Sequence, residues 1–208
     1  MKVTDAASTI AWYDENAEQY ARNLAPHPAS PEFIDKFVSY LDGTNVLDAG
    51  CSPGRDSILL SGQGLDVTGL DLSEGLIRIA KAAYPRITFI QGDFLSLPFE
   101  DNVFDGVWSH ASLVHMQTKQ DAEDALAEFN RVLNINGVLF VFVKTSEKET
   151  DVVVDKLSRH DRFFRYYSQE EMTGMLKSQG FEILESFQSD DPAGRKDVKW
   201  LVFYARKT

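Results

Sequence analysis

From residue 45 onward, two spacings of apolar residues alternate along the 208-residue chain. Short runs of near-continuous hydrophobics predict strands at 45–48, 66–70, 87–91, 103–108 and 138–143. Between them apolar residues recur every three or four positions, which predicts helices at 54–62, 74–83 and 121–133. In the last of these, Ala122, Ala125, Leu126, Phe129 and Leu133 stand at helical spacing with the acids mostly elsewhere. The unbroken run from Val138 to Val143 suits a strand covered on both faces. Strands alternating with helices predict an α/β fold, doubly wound around a mostly parallel seven-stranded sheet of Rossmann-like type.

The two ends read differently. Residues 8–23 predict one helix rich in aromatic and charged groups, among them Trp12, Tyr13 and Tyr20, broken by Pro26, His27 and Pro28. A second helix starts with Ser30 as N-cap and Pro31 at its first position, with Phe33, Phe37, Val38 and Leu41 on one face and Gly43 placed to end it. Toward the other end, Ser168 and Glu171 form a capping-box pattern, and Gly180 closes that helix. Phe181–Phe187 and Val198–Tyr204 then predict two strands, and the gap from Gln188 to Asp197 has no helical pattern. Without a crossover helix, the two strands form an antiparallel hairpin at the C-terminus. The chain reads as one domain over 1–208, with N-terminal lid helices in 1–43 and an α/β core in 44–208.

Charge narrows the partners. Against 21 Lys and Arg stand 32 Asp and Glu, a net charge of −11 that repels nucleic acid and favours a small-molecule partner. The longest apolar run is too short to span a bilayer, and the start Met1-Lys2-Val3-Thr4-Asp5 lacks the blocks of a secretory signal, so no membrane partner is expected. The single cysteine, Cys51, rules out an internal disulfide and suits a reducing cytoplasm. A cytoplasmic monomer or homodimer is expected, and no metal site is visible: His110 and His115, five apart, do not share a helix face.

The candidate chemistry lies in the turn Asp48-Ala49-Gly50-Cys51-Ser52-Pro53-Gly54, which follows one predicted strand and opens a helix. The next strand ends in Asp71. A strand, a tight glycine turn, a helix and a strand ending in a carboxylate make the half-site that holds adenosine-type cofactors. Glycines let the backbone approach the ligand, and the carboxylate accepts hydrogen bonds from ribose hydroxyls. Asp48, beside the turn, either favours a ligand ammonium or stabilises the loop.

Five segments in order carry a family resemblance: Val46–Gly54, Leu70-Asp71-Leu72-Ser73, Gln91-Gly92-Asp93-Phe94, Phe104–Ser109, and Arg131-Val132-Leu133 running to Gly137-Val138-Leu139. With the reversed last strand, they resemble the class I S-adenosylmethionine-dependent methyltransferases of small-molecule type. The resemblance implies S-adenosylmethionine as donor and S-adenosylhomocysteine as product. It assigns Gly50, Ser52 and Gly54 to the cofactor loop, Asp71, Leu72 and Ser73 to the ribose turn, Asp93 and Phe94 to the adenine, and Ser109 to the strand beneath the methyl. Tyr13, Tyr20 and Arg22 resemble the family's N-terminal lid; Tyr20 or Arg22, or Arg55 from the loop, is placed to hold the methionine carboxylate. Two positions depart: Ser52 replaces the usual middle glycine, and Asn136 stands where the first glycine of a pair is common.

His115, beyond the fourth predicted strand, is a candidate general base for the acceptor, ahead of His110; a core or lid role is the other reading. Arg159, His160, Arg162 and Arg165, mixed with Phe163, Phe164, Tyr166 and Tyr167, read either as a wall for an acidic acceptor or as a solvated helix face; Arg195 is a further loop candidate. Three other functions compete. Gly50-x-Ser52-x-Gly54 matches a serine nucleophile elbow, but the following Pro53 lacks the N–H an oxyanion hole requires. A nicotinamide dehydrogenase would need glycines where Ser52 and Arg55 stand. A cofactor-binding regulator without turnover is the third.

Overall fold

The computed structural model describes residues 5–24, 29–146, 150–155, 160–191 and 198–208. Two helices, α1 (Ala6–Glu15) and α2 (Ala17–Leu24), stand in place of the single helix predicted over 8–23. The break is local cap chemistry: the backbone N–H and side-chain amide of Asn16 both donate to the Trp12 carbonyl at 3.0 Å, closing α1. Pro26, His27 and Pro28 lie outside the described residues. α3 (Pro31–Tyr40) starts after Ser30 as predicted, although the Ser30 hydroxyl makes no cap bond. It ends at Leu41, which turns to extended backbone before Gly43 is reached. Gly43 serves a different purpose, since a Cβ there would stand 2.2 Å from the Asp105 carboxylate.

The predicted alternation follows: β1 (Asn45–Ala49), α4 (Arg55–Gly62), β2 (Asp66–Asp71), α5 (Glu74–Ala83), β3 (Thr88–Gln91), β4 (Phe104–His110), a single 3₁₀ turn at Leu113–His115, α6 (Lys119–Val132) and β5 (Leu133–Thr145). β5 begins earlier than 138 because Leu133 already pairs with Phe104; the register then shifts, and Gly106 pairs with Val138. Asn136, in the left-handed region at φ 66°, lies within this irregularity. The segment after β5, whose basic and aromatic cluster read either as an acceptor wall or as a solvated helix face, forms a separate antiparallel pair, β6 (Thr150–Asp155) and β7 (His160–Arg165), and not a helix. Arg159 and Arg195 lie outside the described residues.

α7 (Gln169–Ser178) is capped by Ser168, whose hydroxyl accepts from the Glu171 N–H at 3.0 Å; the Glu171 carboxylate turns instead to Arg165 at 2.5 Å. Gly180, at φ +78°, ends the helix, and β8 (Phe181–Asp190) and β9 (Lys199–Lys207) form the expected hairpin. The seven-stranded sheet runs β3-β2-β1-β4-β5-β9-β8, with the first five strands parallel and β9 antiparallel to both neighbours.

The core lies on both faces of this sheet. Trp108 stacks on Phe140 at 3.8 Å, and Phe37 meets Trp108 edge-on at 5.3 Å. All three are fully buried, and each such side chain contributes roughly 1.5–3 kcal/mol. Strand order reverses between β1 and β4, so the connections leave the two strands in opposite directions and open a crevice at their carboxyl ends. No helix among the described residues is long and apolar enough to cross a membrane.

Candidate functional site

A cavity of about 680 Å³ occupies that crevice, within the roughly 300–1,000 Å³ typical of small-molecule sites. β1 delivers its glycine turn to one end. The turn is strapped to β2 by two hydrogen bonds, from the Gly50 and Cys51 N–H groups to the Leu70 carbonyl, at 2.7 and 3.0 Å. Gly50 sits at φ +85°, and a Cβ on it would meet the Ser112 Cβ at 2.4 Å, so only glycine closes this turn. Ser52 adopts φ 53° without being glycine, and its N–H donates to Asp71 Oδ2 at 2.9 Å.

Asp71 therefore closes β2 directly beneath the turn. Its other oxygen accepts the Ser73 N–H at 2.9 Å. Burial raises its carboxyl to about pKa 6 against the pull of these two backbone donors, with Asp14 adding repulsion. Asp48 is also buried and accepts the Ser57 hydroxyl at 2.6 Å; burial, then the neighbouring Asp56 charge, pushes its carboxyl up to about 8. Asp93, Phe94, Leu72 and Leu95 line the same end.

The opposite end is built by the start of α4, by β4, β5 and β7, and by the start of β9. There Arg55 Nε donates to Asp56 Oδ1 at 2.6 Å, and Asp56 Oδ2 lies 2.5 Å from His110 Nδ1 and 3.2 Å from Trp108 Nε1. Burial works to raise the Asp56 carboxyl, but Arg55 and His110 outweigh it and hold the group well below the usual carboxylate range. Lys144 Nζ stands 3.3 Å from the Phe164 ring centre and 5.5 Å from that of Trp200, and Trp200 stacks on Phe142 at 4.5 Å. The Arg162 guanidinium lies 5.3–5.4 Å from the rings of Tyr13, Tyr20 and Phe164 and bonds the Tyr13 hydroxyl. That hydroxyl is 3.1 Å from His115 Nε2, while His115 Nδ1 is 3.0 Å from the Phe163 carbonyl oxygen.

Of the residues singled out in the sequence, Tyr13, Tyr20, Asp48, Gly50, Ser52, Arg55, Asp71, Leu72, Asp93, Phe94 and His115 line this one cavity. Four do not. Arg22 points to solvent and lies 3.8 Å from Glu18; Gly54 is the N-cap of α4. Ser73 caps α5 and donates its hydroxyl to Asp14 at 2.7 Å. Ser109 is buried, its hydroxyl 2.7 Å from that of Ser112. The sequence reading missed Asp56, Phe142, Lys144, Asp191 and Trp200. Lys144 carried a signal, as a charge closing the apolar run Val138–Val143; Asp191 and Trp200 meet only once β8 and β9 pair, their side chains hydrogen-bonded at 2.9 Å.

Comparison with known proteins agrees with this geometry. The family pattern described as a methyltransferase domain matches residues 47–141. A methyltransferase-like protein of Encephalitozoon cuniculi, ECU09_1500, is 30% identical over 190 residues, covering 84% of this chain and 87% of that one. The O-methyltransferase cnsE of Penicillium expansum is 30% identical over 71% of this chain, which spans 55% of the relative's length. The fold matches that of Burkholderia thailandensis 1,6-didemethyltoxoflavin-N1-methyltransferase, solved with S-adenosylhomocysteine, at a TM-score of 0.76 and 23% identity over 98% of this chain and 88% of that one. With the glycine turn, the strand-end carboxylate and the reversed last strand in place, this chain belongs to the methyltransferase-domain family of class I S-adenosylmethionine-dependent enzymes.

Proposed function

We propose that this enzyme methylates a small, planar and acidic acceptor, bound at the Lys144–Arg162 end of the cavity while S-adenosylmethionine occupies the glycine-turn end. The cofactor end fits that group on three counts. Gly50, at φ +85°, lets the turn pack tightly against Ser112 at the cavity wall, the Asp71 carboxylate reaches the cavity with its oxygens ordered by two backbone N–H groups, and Phe94 and Asp93 offer an apolar face with an acceptor beside it. Asp48 faces the same space as a counter-charge for the methionine ammonium, Tyr20 and Arg55 flank the methionine end, and His115 is held in the acceptor wall by Tyr13 and Phe163.

When bound, the sulfonium supplies an electrophilic methyl that moves in line to the acceptor, leaving a neutral thioether. The protein's part is to align the acceptor and keep the site dry. The wall of Phe142, Phe164 and Trp200 excludes water and offers ring faces, while Lys144 and Arg162, both buried, favour an anionic group. This pairing of two buried cations with three aromatic rings in one cavity is the observation that carries the reading.

The net charge of −11 supports a partner other than nucleic acid, and the single cysteine supports a cytoplasmic setting. We take residues 1–208 to act as one domain, the helices of 1–43 lidding a core of 44–208, as a monomer or homodimer. Calorimetry with S-adenosylhomocysteine, then donor turnover against matched acidic and basic aromatic metabolites, tests the proposal. Turnover confined to basic acceptors would refute it.

A further inference from the structure

Two histidines line the acceptor end, and their surroundings differ. Both ring nitrogens of His115 are engaged, one by the Tyr13 hydroxyl and one by the Phe163 carbonyl. His110, the last residue of β4, is engaged at Nδ1 alone; the residue lines the cavity, and no hydrogen bond reaches Nε2 among the described residues. We propose that His110, oriented by Asp56, is the general base of this enzyme, and that the acceptor is a hydroxyl compound, phenolic or enolic, methylated on oxygen. The assignment rests on the methyltransferase reading of the cavity and names the acceptor class for it.

Geometry fixes the tautomer. An Nδ1 to carboxylate separation of 2.5 Å requires a proton between the two atoms, so in the neutral ring Nδ1 carries the hydrogen and Nε2 is the nitrogen with the lone pair. Arg55 Nη2 approaches the same Nδ1 at 3.1 Å but finds no free lone pair there; its Nε bond to Asp56 Oδ1 at 2.6 Å instead keeps that carboxylate ionised. The Trp108 indole N–H donates to Oδ2, and the tilted rings of Phe142 and Phe140, with centres 4.6 and 6.3 Å away, pack against the imidazole. Asp56 and Trp108 are positioning residues, because neither is the group that meets the acceptor.

Such a base is idle for some acceptors and necessary for others. A carboxylic acid is already an anion at neutral pH and attacks without help. A phenol, with a pKa near 10 as in tyrosine, must lose its proton as its oxygen bonds to carbon. An ammonium acceptor would also need a base, but Lys144 and Arg162 disfavour a second cation in this space. In the proposed step the acceptor O–H breaks and its proton passes to Nε2. The freed oxygen pair forms the new bond to the methyl carbon, and the old carbon–sulfur pair leaves with sulfur. The histidine then returns its proton to solvent. The charged and titratable groups around the His110 end are Arg55 and Asp56 from α4, Asp48 from β1, Lys144 from β5, Arg162 from β7, Asp191 beyond β8, His115 from the 3₁₀ turn, Tyr13 from α1 and Tyr20 from α2.

The test compares wild type with His110→Gln on two probe sets, substituted phenols with 1,3-diketones and aromatic with aliphatic carboxylic acids. S-adenosylhomocysteine affinity is measured on both proteins. Support requires phenol or diketone turnover by wild type, a loss of about 10²–10⁴-fold in kcat for His110→Gln, and a ligand Kd within twofold. The loss should shrink for nitrophenols, which are ionised without a base. Independently of turnover, ¹⁵N-histidine spectra of the ligand-free wild type should show His110 protonated at Nδ1 and bare at Nε2, and Asp56→Asn should abolish that preference. Ligand binding with turnover of acids only, or of neither set, or an undiminished His110→Gln rate on phenols, or the opposite tautomer, overturns this assignment and leaves the cofactor reading standing. Failure to bind S-adenosylhomocysteine would overturn both.

Discussion

Ligand binding at the glycine turn should expel a proton from Asp48. That carboxyl is buried, and burial together with the nearby Asp56 charge raises it to about 8, offset in part by the Ser57 hydroxyl. At pH 7 such a group is about nine-tenths protonated. The amino group of S-adenosylhomocysteine is a cation at that pH, and settling it beside Asp48 demands the carboxylate. Binding at pH 7 should therefore release about 0.9 proton from Asp48, and Asp71, whose carboxyl stands near 6, adds about 0.1. The logarithm of the affinity should climb by about 1.5 per pH unit near pH 6, where both carboxyls contribute, by about one at pH 7, and level off above 8. Calorimetry in phosphate and in Tris, whose ionisation enthalpies differ, reads the proton count directly. Asp48→Asn should cut the release to about a tenth of a proton and lower the affinity at pH 8 by about 10- to 100-fold, the equivalent of one charge-assisted hydrogen bond. Stability of the ligand-free protein should move the other way. A carboxyl raised above its ordinary 3.8 binds a proton that the unfolded chain gives up, so this group's contribution falls as pH rises from about 4 through 8. A proton count of zero at pH 7, with affinity flat between pH 6 and 8, would refute the reasoning.

Three substitutions probe the rest of the cofactor end. Asp71→Ala should weaken S-adenosylhomocysteine about 10- to 100-fold, since hydrogen bonds to a charged group contribute roughly 1.5–3 kcal/mol; unchanged affinity by calorimetry would remove the ribose assignment. Gly50→Ala drives a Cβ to 2.4 Å from that of Ser112 at a φ of +85°, and should lower the melting temperature and abolish measurable ligand binding. Ser52→Gly relieves a left-handed serine and should raise the melting temperature by about 1–3 °C in a thermal melt, on the order of 0.5–1 kcal/mol.

Much of the fold was legible from residue 45 onward because the central parallel strands β1, β4 and β5 are largely buried on both faces, and such strands announce themselves as apolar runs. The hairpin β6–β7 escaped for the opposite reason. Within β7, Arg162, Phe163, Phe164 and Arg165 are all buried, charge and ring alike, so neither a period of two nor a continuous apolar run marks the strand. Arg162 is buried by stacking on Tyr13, Tyr20 and Phe164, which are partners no local pattern can supply. The break at Asn16 was equally invisible to periodicity, because one side-chain amide decided it.

The site divides in the same way. Its cofactor end is a local object, one turn and the tips of successive strands, so spacing pointed to Gly50 and Asp71 and the family resemblance to Asp93, and all three line the cavity. The acceptor end joins residues remote in sequence; Asp56 and His110 are 54 positions apart, and nothing in either segment names the other. A reading by strand position favoured His115, yet it is the non-local carboxylate that sets one histidine apart from the other. Arg22 was set beside Tyr20 as an alternative, and helix geometry decides between them. Residues two apart on a helix point about 200° away from each other, so a helix that turns Tyr20 toward the cavity must turn Arg22 to solvent. Helical geometry alone required a choice between those two residues, and the contact of Tyr20 with Tyr13, ring centres 4.8 Å apart, is what makes it.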